Sequence, residues 1–107
     1  GIITPYVAQR KRIAERVRGV EVDTVDAFQG REKDVIIFSI TSTGSMDFVS
    51  NPNRLNVAFT RARKKLIVIG NGRAIYSSKN NMLYKFLEYV YELKGIYDWD
   101  RGVWLSN

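Results

Sequence analysis

The sequence contains neither cysteine nor histidine, and only two prolines. Without thiols there are no disulfides, no thiolate-held zinc and no cysteine nucleophile, and nothing in the composition points to secretion. Without imidazole there is no Ser-His-Asp triad and no histidine-ligated metal. No apolar run approaches the roughly 18 residues of a membrane span, so no membrane partner is expected. No signal peptide is visible, and the chain opens on Gly1 rather than methionine, which reads as a cut from a longer protein. A phosphate loop of the form G-x-x-x-x-G-K-[ST] is also missing. The nearest stretch, Gly70-Asn71-Gly72-Arg73, lacks the Lys-Ser/Thr pair. These residues therefore do not supply the usual ATP cradle and Mg²⁺ ligand.

What is present is a surplus of positive charge. Lys and Arg number 17 against 11 Asp and Glu, a formal net charge of +6, which favours an anionic partner such as nucleic acid or nucleotide. With 45% hydrophobic residues the composition is that of a globular chain. Its length fits one domain with a modest core, burying about two-thirds of the unfolded surface.

Residues 1–5, with Ile2 and Ile3, read as a buried strand ending at Thr4-Pro5-Tyr6. A helix follows over residues 6–18, with Tyr6, Ile13, Ala14 and Val17 on one face and Gly19 as its stop. Val20, Val22 and Val25 suggest a strand, and residues 28–34 a polar loop. Val35-Ile36-Ile37-Phe38-Ser39-Ile40 is apolar on both faces, as in a parallel strand covered on both sides by helices. Residues 41–50 read as a surface loop. Asn51 and Pro52 mark the start of a helix expected to run to Arg63, and Leu66-Ile67-Val68-Ile69 is a fourth strand. A last helix is expected over residues 81–94, stopped by Gly95; Trp99 and Trp104 in the tail are not placed. The order of elements implies an α/β domain in three layers around a mostly parallel sheet, with no internal repeat.

In such sheets ligands gather beyond the carboxyl ends of the strands. That singles out Thr4-Pro5-Tyr6, residues 24–32, Thr41-Ser42-Thr43 and Gly70-Asn71, a small, hydroxyl-rich set suited to a phosphate backbone or a nucleotide. The plain alternative is that strand ends are polar in any sheet. Arg54 and Arg61, seven apart, would share one face of a helix and grip phosphate; a solvated basic face is the alternative. Gly30 lets the loop approach a ligand closely, and Glu32 is either an acceptor for sugar hydroxyls or a surface acid. Asp23, Asp26, Glu32 and Asp34 form an acidic cluster that would suit a divalent metal, although alternation along a strand separates Asp23 from Asp26.

Two stretches carry a resemblance. Residues 22–37, V-D-T-V-D-A-F-Q-G-R-E-K-D-V-I-I, resemble motif V and its extension in superfamily 1 helicases, and residues 54–71, R-L-N-V-A-F-T-R-A-R-K-K-L-I-V-I-G-N, resemble motif VI. The opening G-I-I-T-P-Y-V-A-Q-R looks like motif IV. The branch most similar contains senataxin and the helicase of nonsense-mediated decay, and the match runs in order through about the first 70 residues. The resemblance implies the second RecA-like domain of an ATP-dependent helicase of 5′-to-3′ polarity, intracellular (cytoplasmic, nuclear or in the nucleoid). Its implied partners are single-stranded DNA or RNA and the first RecA-like domain of the same parent chain. Its implied cofactor is ATP with Mg²⁺, the phosphate loop and the metal ligands lying in that first domain.

Carried over by motif, Arg61 is the arginine finger. Gln29, Gly30, Glu32, Arg54 and Arg61 are the ATP-binding residues, Glu32 near the ribose and Gln29 coupling nucleotide state to domain closure. Whether Arg54 and Arg63 touch phosphate or pair with Asp26 or Glu32 is open. Thr24 contacts the nucleic-acid backbone, with Thr4, Pro5 and Tyr6 as further candidates. The family's second domain begins with a further strand and helix, so the sheet is expected to lack them and to leave an apolar flank uncovered. The loop of residues 43–50 looks shorter than in some relatives. Residues 1–95 are assigned to the domain and residues 96–107 to a tail that matches nothing in the family. Two other functions are consistent with the composition: a non-catalytic module that only holds single-stranded nucleic acid, and a metal-dependent nuclease built on the acidic cluster.

Overall fold

A computed structural model describes residues 1–28, 30–40, 52–77 and 82–105. The expectations for Gln29, for residues 41–51 and for the side chain of Arg54 lie outside the described residues. The chain divides into two compact units, Gly1–Asn71 and Gly72–Asn107.

The first unit holds β1 (Ile2–Thr4), α1 (Val7–Arg16), β2 (Val22–Thr24), β3 (Lys33–Ser39), α2 (Pro52–Phe59) and β4 (Ala62–Ile69). Its four strands form one sheet in the order β2-β1-β3-β4, all parallel. The register puts Ile3 beside Phe38 and Phe38 beside Val68, so these three share a face. Phe59 of α2 meets Phe38 edge-on at 6.2 Å, which places α2 on that face. Ile3, Ile36, Phe38, Leu55 and Ala58 are buried there. α1 covers the other face, where its Gln9 bonds Thr4 and Ser39. The result is the expected α/β arrangement of a parallel sheet between helical layers. On the α1 side Val35, Ile67 and Ile69 are exposed.

Several boundaries differ from expectation, among them the start of β4, which is Ala62 rather than Leu66. Lys33 and Asp34 belong to β3, not to a loop. α2 ends at Phe59, so Arg61 and Arg63 are not helical and Arg54 and Arg61 do not share a helix face. The cause lies in the last turn of α2. The Thr60 hydroxyl donates to Asn56 O (2.8 Å) and Val57 O (3.2 Å), and Arg61 Nε donates to Val57 O (3.0 Å). These bonds consume the last carbonyls of the helix. The chain then joins β3: the Lys33 N–H donates to Arg61 O (2.9 Å) and Lys33 pairs with Ala62. The run from Ala58 to Arg63 has helix-forming side chains, and long-range pairing overrides that preference. α1 stops at Arg16, before Gly19, whose φ of +78° marks the turn.

Parallel strands in one sheet are usually joined by a dozen or more residues. β2 and β3 are joined by residues 25–32 alone, crossing β1. Phe28, fully buried, anchors this crossover, and its N–H donates to Thr24 O (3.0 Å).

The second unit contains α3 (Gly72–Ser77), α4 (Met82–Glu92) and an antiparallel hairpin of β5 (Tyr97–Asp98) and β6 (Val103–Trp104). Neither α3 nor the hairpin was expected. Tyr76 packs on Tyr84 at 5.6 Å, and Ile75 and Leu83 are buried. Lys94, at φ 59°, takes the left-handed position after α4, and the N–H of Gly95, the expected stop, donates to Val90 O (2.9 Å). The tail tryptophans belong to the hairpin: Tyr97 contacts Trp99 at 6.1 Å and Trp104 at 5.3 Å. Among the described residues no helix is long and apolar enough to cross a membrane.

Candidate functional site

Because all four strands are parallel, the sheet has one carboxyl edge and one amino edge, and the candidate residues sort between them. β3 has 7 residues, so the edges are about 20 Å apart along it. Only part of the predicted set sits at the carboxyl edge, where topology alone would put all of it.

At the carboxyl edge, Thr4 ends β1 level with Thr24, the end of β2. Thr4 is fully buried; its hydroxyl donates to Gln9 Oε1, and Gln9 Nε2 donates to Ser39 Oγ (2.8 Å). Pro5 is also buried. Both are among the weaker candidates for nucleic-acid contact, and both are buried. Tyr6 and Thr24 are half-buried and present part of their surface. Thr24 Oγ1 accepts from Ala27 N–H (3.4 Å), and the Thr24 N–H donates to Asp23 Oδ1 (3.0 Å). This turn sets the direction of the crossover as it leaves β2.

At the amino edge, the loop and Arg61 are clamped to each other. Lys33 N–H donates to Arg61 O (2.9 Å), and Arg61 Nη1 donates to Arg31 O (3.5 Å). Glu32 lies between these two anchors and is exposed. Gly30, also exposed, has φ +85°, a conformation that favours glycine on steric grounds. The Arg61 guanidinium is half-buried, held by Val57 O, Arg31 O and, through Nη2, Thr60 Oγ1 (3.0 Å). All three acceptors are neutral. An anionic oxygen makes a shorter bond of roughly twice the strength, so a phosphate would draw this guanidinium from its resting partners.

The acidic cluster is not assembled. Asp23 pairs with Arg31 (3.1 Å) and lies 3.8 Å from Arg10 Nε, while Asp34 pairs with Arg63 (3.1 Å) and Lys64 (3.8 Å). Among the described residues no three carboxylates come together around a common point. This removes the basis of the nuclease reading and places Arg63 on Asp34 rather than on Asp26 or Glu32.

Three residues were overlooked by sequence reading. Gln9, counted with the polar cover of α1, joins the carboxyl ends of β1 and β3. Ser39 receives that bond. Arg31 stacks its guanidinium 4.5 Å over the Phe28 ring and pairs with Glu21 and Asp23. A signal for Arg31 was available: Glu21 and Asp23 are two apart on an extended segment, so their carboxylates point the same way and form a seat for a planar cation.

The family model described as AAA domain matches residues 1–73. An uncharacterised ATP-dependent helicase of Methanocaldococcus jannaschii is 45% identical over 82 residues, covering 73% of this chain and 12% of that protein. A Neurospora crassa homologue of regulator of nonsense transcripts 1 is 45% identical over 89 residues, covering 70% of this chain and 8% of its own length. The crystal structure of the PRRSV nsp10 helicase matches 71% of this chain and 15% of its own, at 30% identity and a TM-score of 0.49. The chain thus spans about a tenth of the length of these curated relatives. It belongs to the AAA-domain family, as a second-domain segment of the superfamily 1 helicases in the branch of the nonsense-transcript regulators.

Proposed function

We propose that this chain supplies the arginine finger and part of the nucleic-acid track to an ATP-dependent helicase whose phosphate loop lies in another domain. The observation that carries the proposal is the clamp at the amino edge. It holds Arg61 just before β4, half-buried and, among the described residues, bonded to neutral acceptors, beside Glu32 and the Gly30 turn. A bound Mg²⁺·ATP is the substrate. Glu32 would take ribose hydroxyls and Arg61 the γ-phosphate, stabilising the charge that spreads over the transferred group. The metal is assigned to acids of the other domain; of the acidic residues singled out in the sequence, Asp23 and Asp34 are paired with arginine and lysine. At the opposite edge Thr24 and Tyr6 would touch the nucleic-acid backbone, with Thr4, Pro5 and Gln9 supporting them from behind. Backbone contact of this kind carries no base code and does not distinguish DNA from RNA by sequence.

A second reading is favoured by one observation: Arg61 also caps α2, so its conformation has a purely structural explanation. In that reading the chain holds single strands without taking part in hydrolysis. The two readings separate in the full-length parent. Under the helicase reading, Arg61→Ala lowers ATP turnover by about 10³–10⁵-fold while ATP affinity, measured by fluorescent-nucleotide titration, changes little. Retention of full turnover by a folded Arg61→Ala protein would establish the binding-module reading instead.

A further inference from the structure

We infer that Arg31 is a positioning residue for Arg61, an assignment that rests on the arginine-finger reading above. Its side chain and its main chain face different tasks. Nη2 donates to Asp23 Oδ2 (3.1 Å) and to Ala27 O (2.8 Å), Nη1 pairs with Glu21, and the guanidinium lies over the buried Phe28 ring. One planar cation thus ties the residues before and within β2 to both the start and the anchor of the short crossover. The Arg31 carbonyl, in turn, accepts from Arg61 Nη1, and two residues on the Lys33 N–H holds Arg61 O. Residues 31–33 are therefore a strap with Arg61 fastened to its far side.

The crossover is short and has no described helix to stiffen it, so the side chain of Arg31 sets where its carbonyl stands. The same group also reaches toward the other edge. Asp23 uses Oδ2 for Arg31 and Oδ1 for the Thr24 N–H, so the turn at the end of β2 and the seat of Arg61 share one carboxylate. Lysine would keep the charge but not the planar fork that serves three acceptors and a ring at once.

The test uses the full-length helicase, saturated with single-stranded nucleic acid, and compares Arg31→Lys and Arg31→Met in wild-type and Arg61→Lys backgrounds. Misplacing a reacting group by about 1 Å can cost on the order of 100-fold in rate. In the wild-type background both variants are expected to lower kcat for ATP hydrolysis by about 10- to 100-fold, with KM for ATP within about twofold. In the Arg61→Lys background, assayed by single-turnover hydrolysis, removing Arg31 is expected to change the rate by less than about twofold, because residues acting through one another do not add. Equal losses in both backgrounds, or a kcat that recovers on cooling below a lowered melting temperature, would assign Arg31 to fold support alone and overturn the inference. An undiminished kcat in Arg31→Met would overturn it too. If instead Arg61→Lys and Arg61→Ala hydrolyse ATP normally, the arginine-finger reading has failed.

Discussion

Arg61 has an observed place in the fold and, in the function proposed above, a place in the reaction. At rest it closes the end of α2, and its guanidinium is satisfied by two carbonyls and a hydroxyl. Those bonds keep it from collapsing onto a carboxylate, which would have held it far more firmly. Gly30 contributes by conformation. Its φ of +85° lets the chain turn from the Phe28 anchor into the Arg31 strap, and there is open space where a Cβ would stand. Gly30→Ala should therefore cost about 1–2 kcal/mol through backbone strain alone, read as a lowered denaturation midpoint. Gly30→Asn should cost less, since asparagine tolerates the left-handed region. Equal stability of Gly30→Ala and the parent would mean that the turn is not held as described. The motif residues were legible in the sequence as types at spacings. The resting partners of Arg61 were not, because they depend on where α2 stops.

At the scale of elements, the crossover between β2 and β3 is the distinctive part. It is held by Phe28 beneath and Arg31 above, and among its described residues there is no helix of the kind that usually joins parallel strands. Phe28→Ala removes a fully buried ring and should destabilise the fold by about 3–5 kcal/mol, measured by urea unfolding of the first unit. It should also loosen the strap, so in the full-length parent a folded Phe28→Leu variant is expected to lose ATP turnover before it loses its far-UV signal. The apolar strand cores of β1 and β3 were evident from their β-branched runs. The ends of α2 and β4 were not, since residues 58–63 suit a helix as well as a strand and only pairing with β3 decides.

At the scale of the whole molecule, the positive surplus and the lack of a phosphate loop in these residues are in keeping with the proposed division of labour. The isolated chain should show negligible ATP turnover. It should bind single-stranded oligonucleotides weakly, with log K falling linearly against log salt as counterions are released, a slope of about −0.7 per phosphate contacted. A filter-binding series across salt concentrations measures that slope. Binding that ignores salt would argue against a backbone track, and strong turnover in a contaminant-free sample would argue against the half-site reading. The division into two compact units at Asn71 and Gly72 coincides closely with the end of the family match at residue 73. The hairpin carrying Trp99 and Trp104 lies beyond that match.

Two kinds of information built this protein. The sequence alone determined the α/β class, the parallel sheet and the family, because strand cores, helix stripes and motif spacings are local patterns that survive without coordinates. Only the tertiary structure decided that Arg61 and Glu32 stand at one edge of the sheet while Thr24 and Tyr6 stand at the other, and that Arg31 runs between them. Sequence order cannot reveal this, for an edge is defined by strand direction and register. Those are settled by hydrogen bonds between residues tens of positions apart.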